Sequence, residues 1–191
     1  MNTSAYSKNY FEKYASLTLL KILDIEEDDI TLSDCPDLVI KELDMGIEVT
    51  QAITTSEAVE DRKKALYTHL DMSPFDQVRK DKEKVLENID DAIKRKQAKS
   101  EHYSKFKTNG LYIYSHCHNF KENEILSKLA TYNNLFYQHI YINTVTRVYD
   151  YNLENQRIDS YHYSISELTL INEKSLDYEK TCGKKRRKII V

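Results

Sequence analysis

Two short runs of β-branched apolar residues lie close together in the first third of the chain. Residues 36–40 (Pro-Asp-Leu-Val-Ile) and residues 46–51 (Gly-Ile-Glu-Val-Thr-Gln) flank a mostly polar connection at residues 41–44. This pattern predicts a β-hairpin or a pair of neighbouring short strands. Each strand carries one acidic residue, Asp37 or Glu48. A carboxylate among Leu, Val and Ile is costly to bury unless it meets a cation or a hydrogen-bond donor, so both residues are candidates for function.

Helical spacing of apolar residues marks four other stretches of the chain. They are residues 5–23, 54–69, 75–106 and 120–136. Ser4 is available as the N-cap of the first, the second ends before Ser73-Pro74, and Asn133-Asn134 suggest the end of the last. Residues 75–106 would form one long helix or two in succession. The acidic run at residues 26–29 indicates an exposed connection between the first helix and the hairpin.

Alternating side chains predict further strands in the second half of the chain. They lie at residues 110–117, 139–151 and 158–165, with a turn at 152–156. The order helix, hairpin, long helix, strand, helix, strands predicts an α/β (α+β) protein whose central mixed β-sheet is flanked by helices. No Pro/Gly/Ser-rich linker divides the 191 residues, so we expect a single domain spanning residues 1–191.

Charge and cysteine content narrow the function and the compartment. The net charge of −3 argues against a protein that coats nucleic acid along its whole surface, although local basic patches could still bind phosphates. The three cysteines form no CxxC pair, which favours reduced thiols and a cytoplasmic location. No apolar run approaches the roughly 20 residues of a membrane span, and the N-terminus lacks the core of a signal peptide, so no membrane association is expected.

The two acidic residues of the hairpin suggest a metal site. Glu48 and Thr50 share one face of their strand, and two carboxylates converge if Asp37 projects to the same side. Hard divalent cations such as magnesium favour a small set of oxygen ligands of this kind. The alternative is structural, because Asp37 follows Pro36 as a turn residue would, and Glu48 could lie on a solvated face.

Lysines occupy the apolar face of the long helix. The stripe that begins at Val78 and runs through Val85 continues to Lys96 and Lys99, whereas Lys94 falls on the opposite side. An inward ammonium needs an anionic partner, and a pair of metal-site carboxylates would provide one. The alternative is that the end of the helix extends past the core and leaves both lysines solvated.

The residues of the hairpin also resemble a known active site. Pro-Asp, a spacer and then Gly-Ile-Glu-Val-Thr over residues 36–51 are similar to the active-site hairpin of the PD-(D/E)XK nuclease-like superfamily. In that superfamily the Asp and the Glu bind the metal, and a lysine two residues beyond the Glu helps to activate water. This chain has Thr50 at the lysine position. Some members move that lysine to a neighbouring helix, which makes Lys96 or Lys99 the candidate here.

The resemblance implies a fold and a function. It implies a restriction-endonuclease-like core with a C-terminal β extension, and hydrolysis of phosphodiester bonds in nucleic acid, DNA rather than RNA, with Mg²⁺ or Mn²⁺. The metal ligands would be Asp37, Glu48 and the carbonyl of Val49. Many members of the superfamily place a helical acidic residue beside the metal, and Glu12 lies near that position. A helical wheel places Glu12 off the main apolar stripe, which favours a solvated glutamate.

Two other classes of function stay open. Thr50 in the lysine position would suit a catalytically inactive relative that uses the fold to bind nucleic acid or protein. His116 and His118, two residues apart on a predicted strand, could instead contribute to a zinc-binding interaction module. The sequence leaves the choice between a monomer and a homodimer open.

Tyrosines and a basic tail are further candidates for contact with nucleic acid. The tyrosines of the last two predicted β-runs could stack on bases, although cross-strand packing is the commoner role; they are Tyr141, Tyr149, Tyr151, Tyr161 and Tyr163. Residues 184–188 are five cations in succession. They could bind phosphates or lead into a last edge strand that their charges protect.

Overall fold

A computed structural model describes residues 7–54, 56–57, 81–118 and 120–187, with the backbone alone for 183–187. Within these residues seven strands, β1 to β7, form one sheet, and they cover Ile30–Leu32, Leu38–Ile40, Met45–Gln51, Thr108–Tyr114, His139–Asn143, Arg147–Asn152 and Arg157–His162. The α-helices of the same residues, α1 to α4, cover Lys8–Leu23, Lys82–Gln97, Glu122–Leu129 and Ile165–Arg187.

The sheet is mixed, and its strands lie side by side in chain order. The β3–β4 and β4–β5 pairs are parallel, and the other four pairs are antiparallel. Parallel neighbours need a crossover, and right-handed crossovers that advance in one direction place their helices on one face. The helices α2 and α3, which lie in these crossovers, accordingly pack on the same side of the sheet. The predicted mixed sheet flanked by helices is therefore confirmed.

Strand β4 shows how the two faces divide the core. Leu111 and Ile113 pack with the apolar residues of α2 and α3. Tyr112 and Tyr114 point to the opposite face and pack with residues of α1 and α4. All four side chains are fully buried, as expected for a central strand covered on both faces.

Tyrosine hydroxyls connect the layers of this core. The hydroxyl of Tyr114 donates to the carbonyl oxygen of Phe11 at 2.7 Å, and that of Tyr149 donates to the carbonyl oxygen of Phe120 at 2.9 Å. The rings fill the interior while their hydroxyls find backbone acceptors on the neighbouring layer, which is how buried tyrosine is usually satisfied.

The base-stacking interpretation of the later tyrosines is wrong for the buried ones. Four of the five side chains are no more than 2% exposed, namely Tyr141, Tyr149, Tyr151 and Tyr163. Tyr161 is half-buried and packs against the core beside α1. Packing across strands and onto the helices accounts for them.

Three helices begin or end at other residues than predicted. Helix α1 begins at Lys8 with Ser7 in the N-cap position rather than at residue 5 after Ser4, which lies outside the described residues. Of the segment 75–106, predicted as one long helix or two, helix α2 covers Lys82–Gln97, and residues 75–80 lie outside the described part. Helix α3 ends at Leu129 instead of Asn133. The prediction for residues 54–69 falls almost entirely outside the described residues.

The C-terminal third contains one more turn and one more helix than predicted. The β-run at 139–151 is two strands joined by a turn at residues 144–146. Helix α4 follows β7 directly, and no helix was predicted there. Because residues 184–187 continue α4, the interpretation of the basic run as an approach to an edge strand is wrong for these residues; 188–191 lie outside the described part.

Two further predictions concern membrane spans and the cysteines. Among the described residues, no helix has both the length and the apolar character needed to cross a bilayer. Cys35, Cys117 and Cys182 are all free thiols, as predicted.

Candidate functional site

The candidate site lies where β2 separates from β3. Pairing between these strands ends at Leu38 and Ile47, while β3 continues to Gln51 along β4. Asp37 occupies the gap, and its Oδ2 accepts a hydrogen bond of 2.7 Å from the backbone N–H of Val49. The N–H and C=O of one residue in an extended strand point to the same edge, so the Val49 carbonyl faces this gap as well.

A glycine allows the loop before Asp37 to approach β3 closely. A Cβ atom at Gly46 would lie 2.5 Å from the ring of Phe106 and 2.8 Å from the ring of Pro36. Any larger residue would push these rings outward and displace the loop that carries Asp37. The Gly-Ile-Glu-Val run thus brings the loop to β3 as well as supplying Glu48.

Glu48 and Lys96 form an ion pair between β3 and α2. The Nζ atom of Lys96 lies 2.6 Å from Oε2 of Glu48 and 3.9 Å from Oδ2 of Asp37. Both carboxylates are buried, with Asp37 2% and Glu48 4% exposed. The inward position predicted for Lys96 is confirmed, and the solvated alternative for Glu48 is wrong. Asp37 does lie in a bend after Pro36, as the alternative for it had it, but its carboxylate is buried.

A second lysine neutralises the other side of the cluster. The Nζ atom of Lys8 lies 2.8 Å from Oδ1 of Asp37 and 3.1 Å from Oε1 of Glu12. Glu12 is only 5% exposed, so its interpretation as a solvated glutamate is wrong. Helix α4, absent from the predicted elements, covers a second side of α1, so this helix buries more than the single stripe that the wheel identifies.

Burial and mutual repulsion shift the ionisation of the cluster. Burial raises the pKa of Glu12 to about 7, and the hydrogen bond from Lys8 only partly offsets this. Burial also raises the pKa of Glu48, against the opposing effect of Lys96. Burial lowers the pKa of Lys8, but hydrogen bonds to Asp37 and Glu12 outweigh it and hold that pKa above its usual value. Both glutamates of the site are therefore harder to ionise than a glutamate in water, chiefly because they are buried.

The cluster lines a cavity of about 660 Å³ that is open to solvent. Thr50, Arg95 and Tyr103 also line it, although the sequence did not single out Arg95 or Lys8 as site residues. Lys8 precedes Glu12 by four residues, a spacing that places two helical side chains together, so this signal was present in the sequence.

Lys99, the other candidate lysine, does not reach the cavity. Helix α2 ends at Gln97, and Lys99 lies beyond it on the exposed surface. Its predicted inward position assumed that the helix continues, and that assumption is wrong.

The geometry expected for a zinc site at the histidines is also absent. Strand β4 ends at Tyr114, and His116 has a left-handed backbone with φ of 54°, so His116 and His118 do not share the face of a strand. The Nε2 atom of His116 lies 3.0 Å from Oε1 of Gln51. In the part of the chain that the structure describes, no group of three or more His, Cys, Asp or Glu side chains has a metal-binding arrangement.

The chain was compared with protein-family models, with curated proteins and with solved structures, and none of them matches it. The geometry of the site and the resemblance of residues 36–51 to the nuclease hairpin are what point to a function.

Proposed function

We propose that the protein is a metal-dependent nuclease of the PD-(D/E)XK type that hydrolyses phosphodiester bonds, in DNA rather than RNA. One observation carries this proposal: Asp37 and Glu48 converge at the open end of the β2–β3 pair, and Lys96 of α2 reaches them. The strand position that holds the lysine in the resembling superfamily holds Thr50. A lysine supplied by α2 would take its place.

The residues present suit a divalent cation. Ionised Asp37, Glu48 and Glu12 would carry three negative charges against the two positive charges of Lys8 and Lys96. Oε1 of Glu48 is buried and has no hydrogen-bond partner among the described residues, which is costly for a carboxylate oxygen unless a cation or donor reaches it. The ammonium of Lys8 already shows that a cation can bridge Asp37 and Glu12.

Asp37, Glu48, the Val49 carbonyl and Glu12 would hold the metal only after a rearrangement, because with Lys8 in place no three acidic side chains of the described residues have a metal-binding arrangement. Lys8 would then leave the cluster, which its side-chain exposure of 60% permits. Bound Mg²⁺ or Mn²⁺ supplies Lewis-acid polarisation of a phosphate oxygen and lowers the pKa of water. Lys96 donates hydrogen bonds to the attacking water or to a phosphate oxygen, and so positions the nucleophile against the phosphorus atom.

A second candidate function is binding without catalysis, as in an inactive relative of the same fold. The ion pairs favour it, because Lys8 and Lys96 already contact carboxylate oxygens that a metal ion would need as ligands. Metal binding to the purified protein separates the two candidates, because a scaffold that retains only the fold has no need of the cation.

We further propose that the protein acts in the cytoplasm. The three free thiols support this compartment, since disulfides are the usual state of paired cysteines in oxidising environments.

Cleavage of labelled DNA with Mg²⁺ or Mn²⁺ tests the leading proposal. The parent protein should cleave, and Glu48→Gln should lose at least about 100-fold in rate because one metal-binding carboxylate is gone. Glu87→Gln, the same change on the exposed side of α2, should retain the parent rate. No cleavage of single- or double-stranded DNA or RNA by the parent would refute the nuclease.

A further inference from the structure

Arg95 extends from the last turn of α2 to the end of β3. Its Nη2 atom lies 3.2 Å from the hydroxyl of Thr50 and 3.4 Å from the carbonyl oxygen of Gln51, and it donates to both. The side chain is exposed and lines the cavity that contains Asp37 and Glu48. These contacts hold the guanidinium at the rim of the cavity, outside the buried carboxylates.

Within the described part of the chain, Arg95 differs from the two lysines of the site in having no acidic partner. Lys8 and Lys96 each pair with carboxylates, whereas no carboxylate among the described residues forms an ion pair with Arg95. A guanidinium has five N–H donors in a rigid fork, and both contacts of Arg95 use a single nitrogen. The other donors are available to an anion that enters the cavity.

Arg95 and its neighbour Lys96 reach different parts of the cavity, Arg95 its rim and Lys96 the buried carboxylates. Successive residues of a helix point about 100° apart, so the inward direction of Lys96 leaves Arg95 at the side of the cavity. A phosphodiester that approaches the carboxylates meets repulsion from them. A fixed cation at the rim would offset this repulsion and orient the strand before the reaction.

We propose that Arg95 binds a backbone phosphate of the nucleic acid next to the phosphate that is cleaved, and so positions the strand in the cavity. This rests on the proposed function, because it takes the cavity as the substrate site. A guanidinium fork suits two oxygens of one phosphate, and Thr50 and Gln51 hold it in place for this contact. Thr50 thereby gains a role as an anchor for Arg95.

Binding of a fluorescent oligodeoxynucleotide, measured by anisotropy at several salt concentrations, tests this role. Lys96→Ala serves as the background, so that Mg²⁺ can be present without turnover. Adding Arg95→Ala should weaken binding about tenfold for every sequence and reduce the slope of log K against log salt by about 1. Arg157→Ala is the matched control, because Arg157 is 72% exposed on β7, four strands away from β3.

Kinetics of the otherwise unchanged protein give a second, independent measurement. Arg95→Ala should raise KM about tenfold and change kcat less than about threefold, because the contact is to a phosphate that does not react. Arg95→Lys should recover part of the affinity, since it keeps the charge but loses the fork.

The outcomes separate this proposal from the nuclease itself. Oligonucleotide binding whose salt slope falls by about 1 in Arg95→Ala, with no cleavage by the parent, supports the phosphate contact and refutes the nuclease. Cleavage by the parent with Arg95→Ala indistinguishable from Arg157→Ala overturns the role of Arg95 and leaves the nuclease standing. Absence of any oligonucleotide binding overturns the role of Arg95 as well.

Discussion

At the scale of single residues, the cluster carries its own counter-cation. Lys8 bridges Asp37 and Glu12 with an ammonium whose side chain is still 60% exposed. A metal that binds these carboxylates must displace it, so the ion pairs and the metal compete for the same oxygens.

Replacing Lys8 by methionine should therefore strengthen metal binding. In Lys8→Met we expect the affinity for Mg²⁺, measured by calorimetry, to rise about fivefold, the size of a partly exposed ion pair. Lys84→Met, an exposed lysine on α2, should leave the affinity unchanged. Weaker binding in Lys8→Met would indicate that Lys8 supports the metal site rather than competing for it.

The raised pKa of Glu12 predicts a pH dependence of stability. Burial raises the pKa of Glu12 in the folded state to about 7. Between the ordinary pKa of a glutamate and about pH 7, the folded protein therefore keeps a proton on Glu12 that the unfolded chain has lost. The folded state is thus progressively penalised as pH rises from the ordinary pKa of a glutamate to about 7, and the full penalty persists above that pH.

Glu12→Gln removes this titration while keeping the shape of the side chain. In EDTA, the Tm of Glu12→Gln relative to the parent should increase as pH rises from about 5 to about 7.5. Glu83→Gln, on the exposed side of α2, provides the control. A Tm difference that stays constant over this range would contradict the raised pKa.

At the scale of elements, the sequence predicted those that have a local signal. The β-branched apolar runs in residues 36–40 and 46–51 identified β2 and β3, and the stripe of α2 identified the inward position of Lys96. These patterns depend on neighbouring residues alone, which explains why Asp37, Glu48 and Lys96 could be proposed together. The burial of Glu12 could not be predicted, because it depends on α4, which packs on α1 from the far end of the chain.

The turn between β5 and β6 lacks the glycine or proline that marks most turns. Val145 has φ of 72°, a left-handed conformation that β-branched residues rarely adopt. The side chain of Asn143 holds this turn, since its Oδ1 accepts from the N–H of Val145 at 2.7 Å. The Nδ2 of Asn143 donates to the hydroxyl of Tyr112 at 2.7 Å, which ties the turn to the core.

Removing the Asn143 side chain should therefore destabilise the sheet. We expect Asn143→Ala to lower the free energy of unfolding by about 2 kcal/mol, because two buried hydrogen bonds are lost and their partners stay buried. Urea denaturation measures this value, with Asn123→Ala on the exposed surface of α3 as the control. Equal stability of the two variants would show that the turn does not depend on Asn143.

At the scale of the whole molecule, the site forms because helices from both faces reach one opening in the sheet. Helix α1 supplies Lys8 and Glu12, and α2 supplies Lys96 from the other side. The opening exists because β3 continues beyond the end of β2. Composition and periodicity predicted a mixed sheet with helices, but this meeting of two layers is a tertiary feature that they do not encode.

The transfer of the catalytic lysine from β3 to α2 is the central claim, and the cleavage rate of Lys96→Ala tests it most directly. If the claim holds, this variant cleaves DNA at least about 100-fold more slowly than the parent, while its Mg²⁺ affinity is not weakened. Lys94→Ala, which removes a lysine from the exposed side of α2, should cleave at the parent rate. Adding Thr50→Lys to Lys96→Ala should restore part of the rate, limited by repulsion from Arg95, which contacts Thr50 at 3.2 Å. Equal cleavage by Lys96→Ala and Lys94→Ala would contradict the claim.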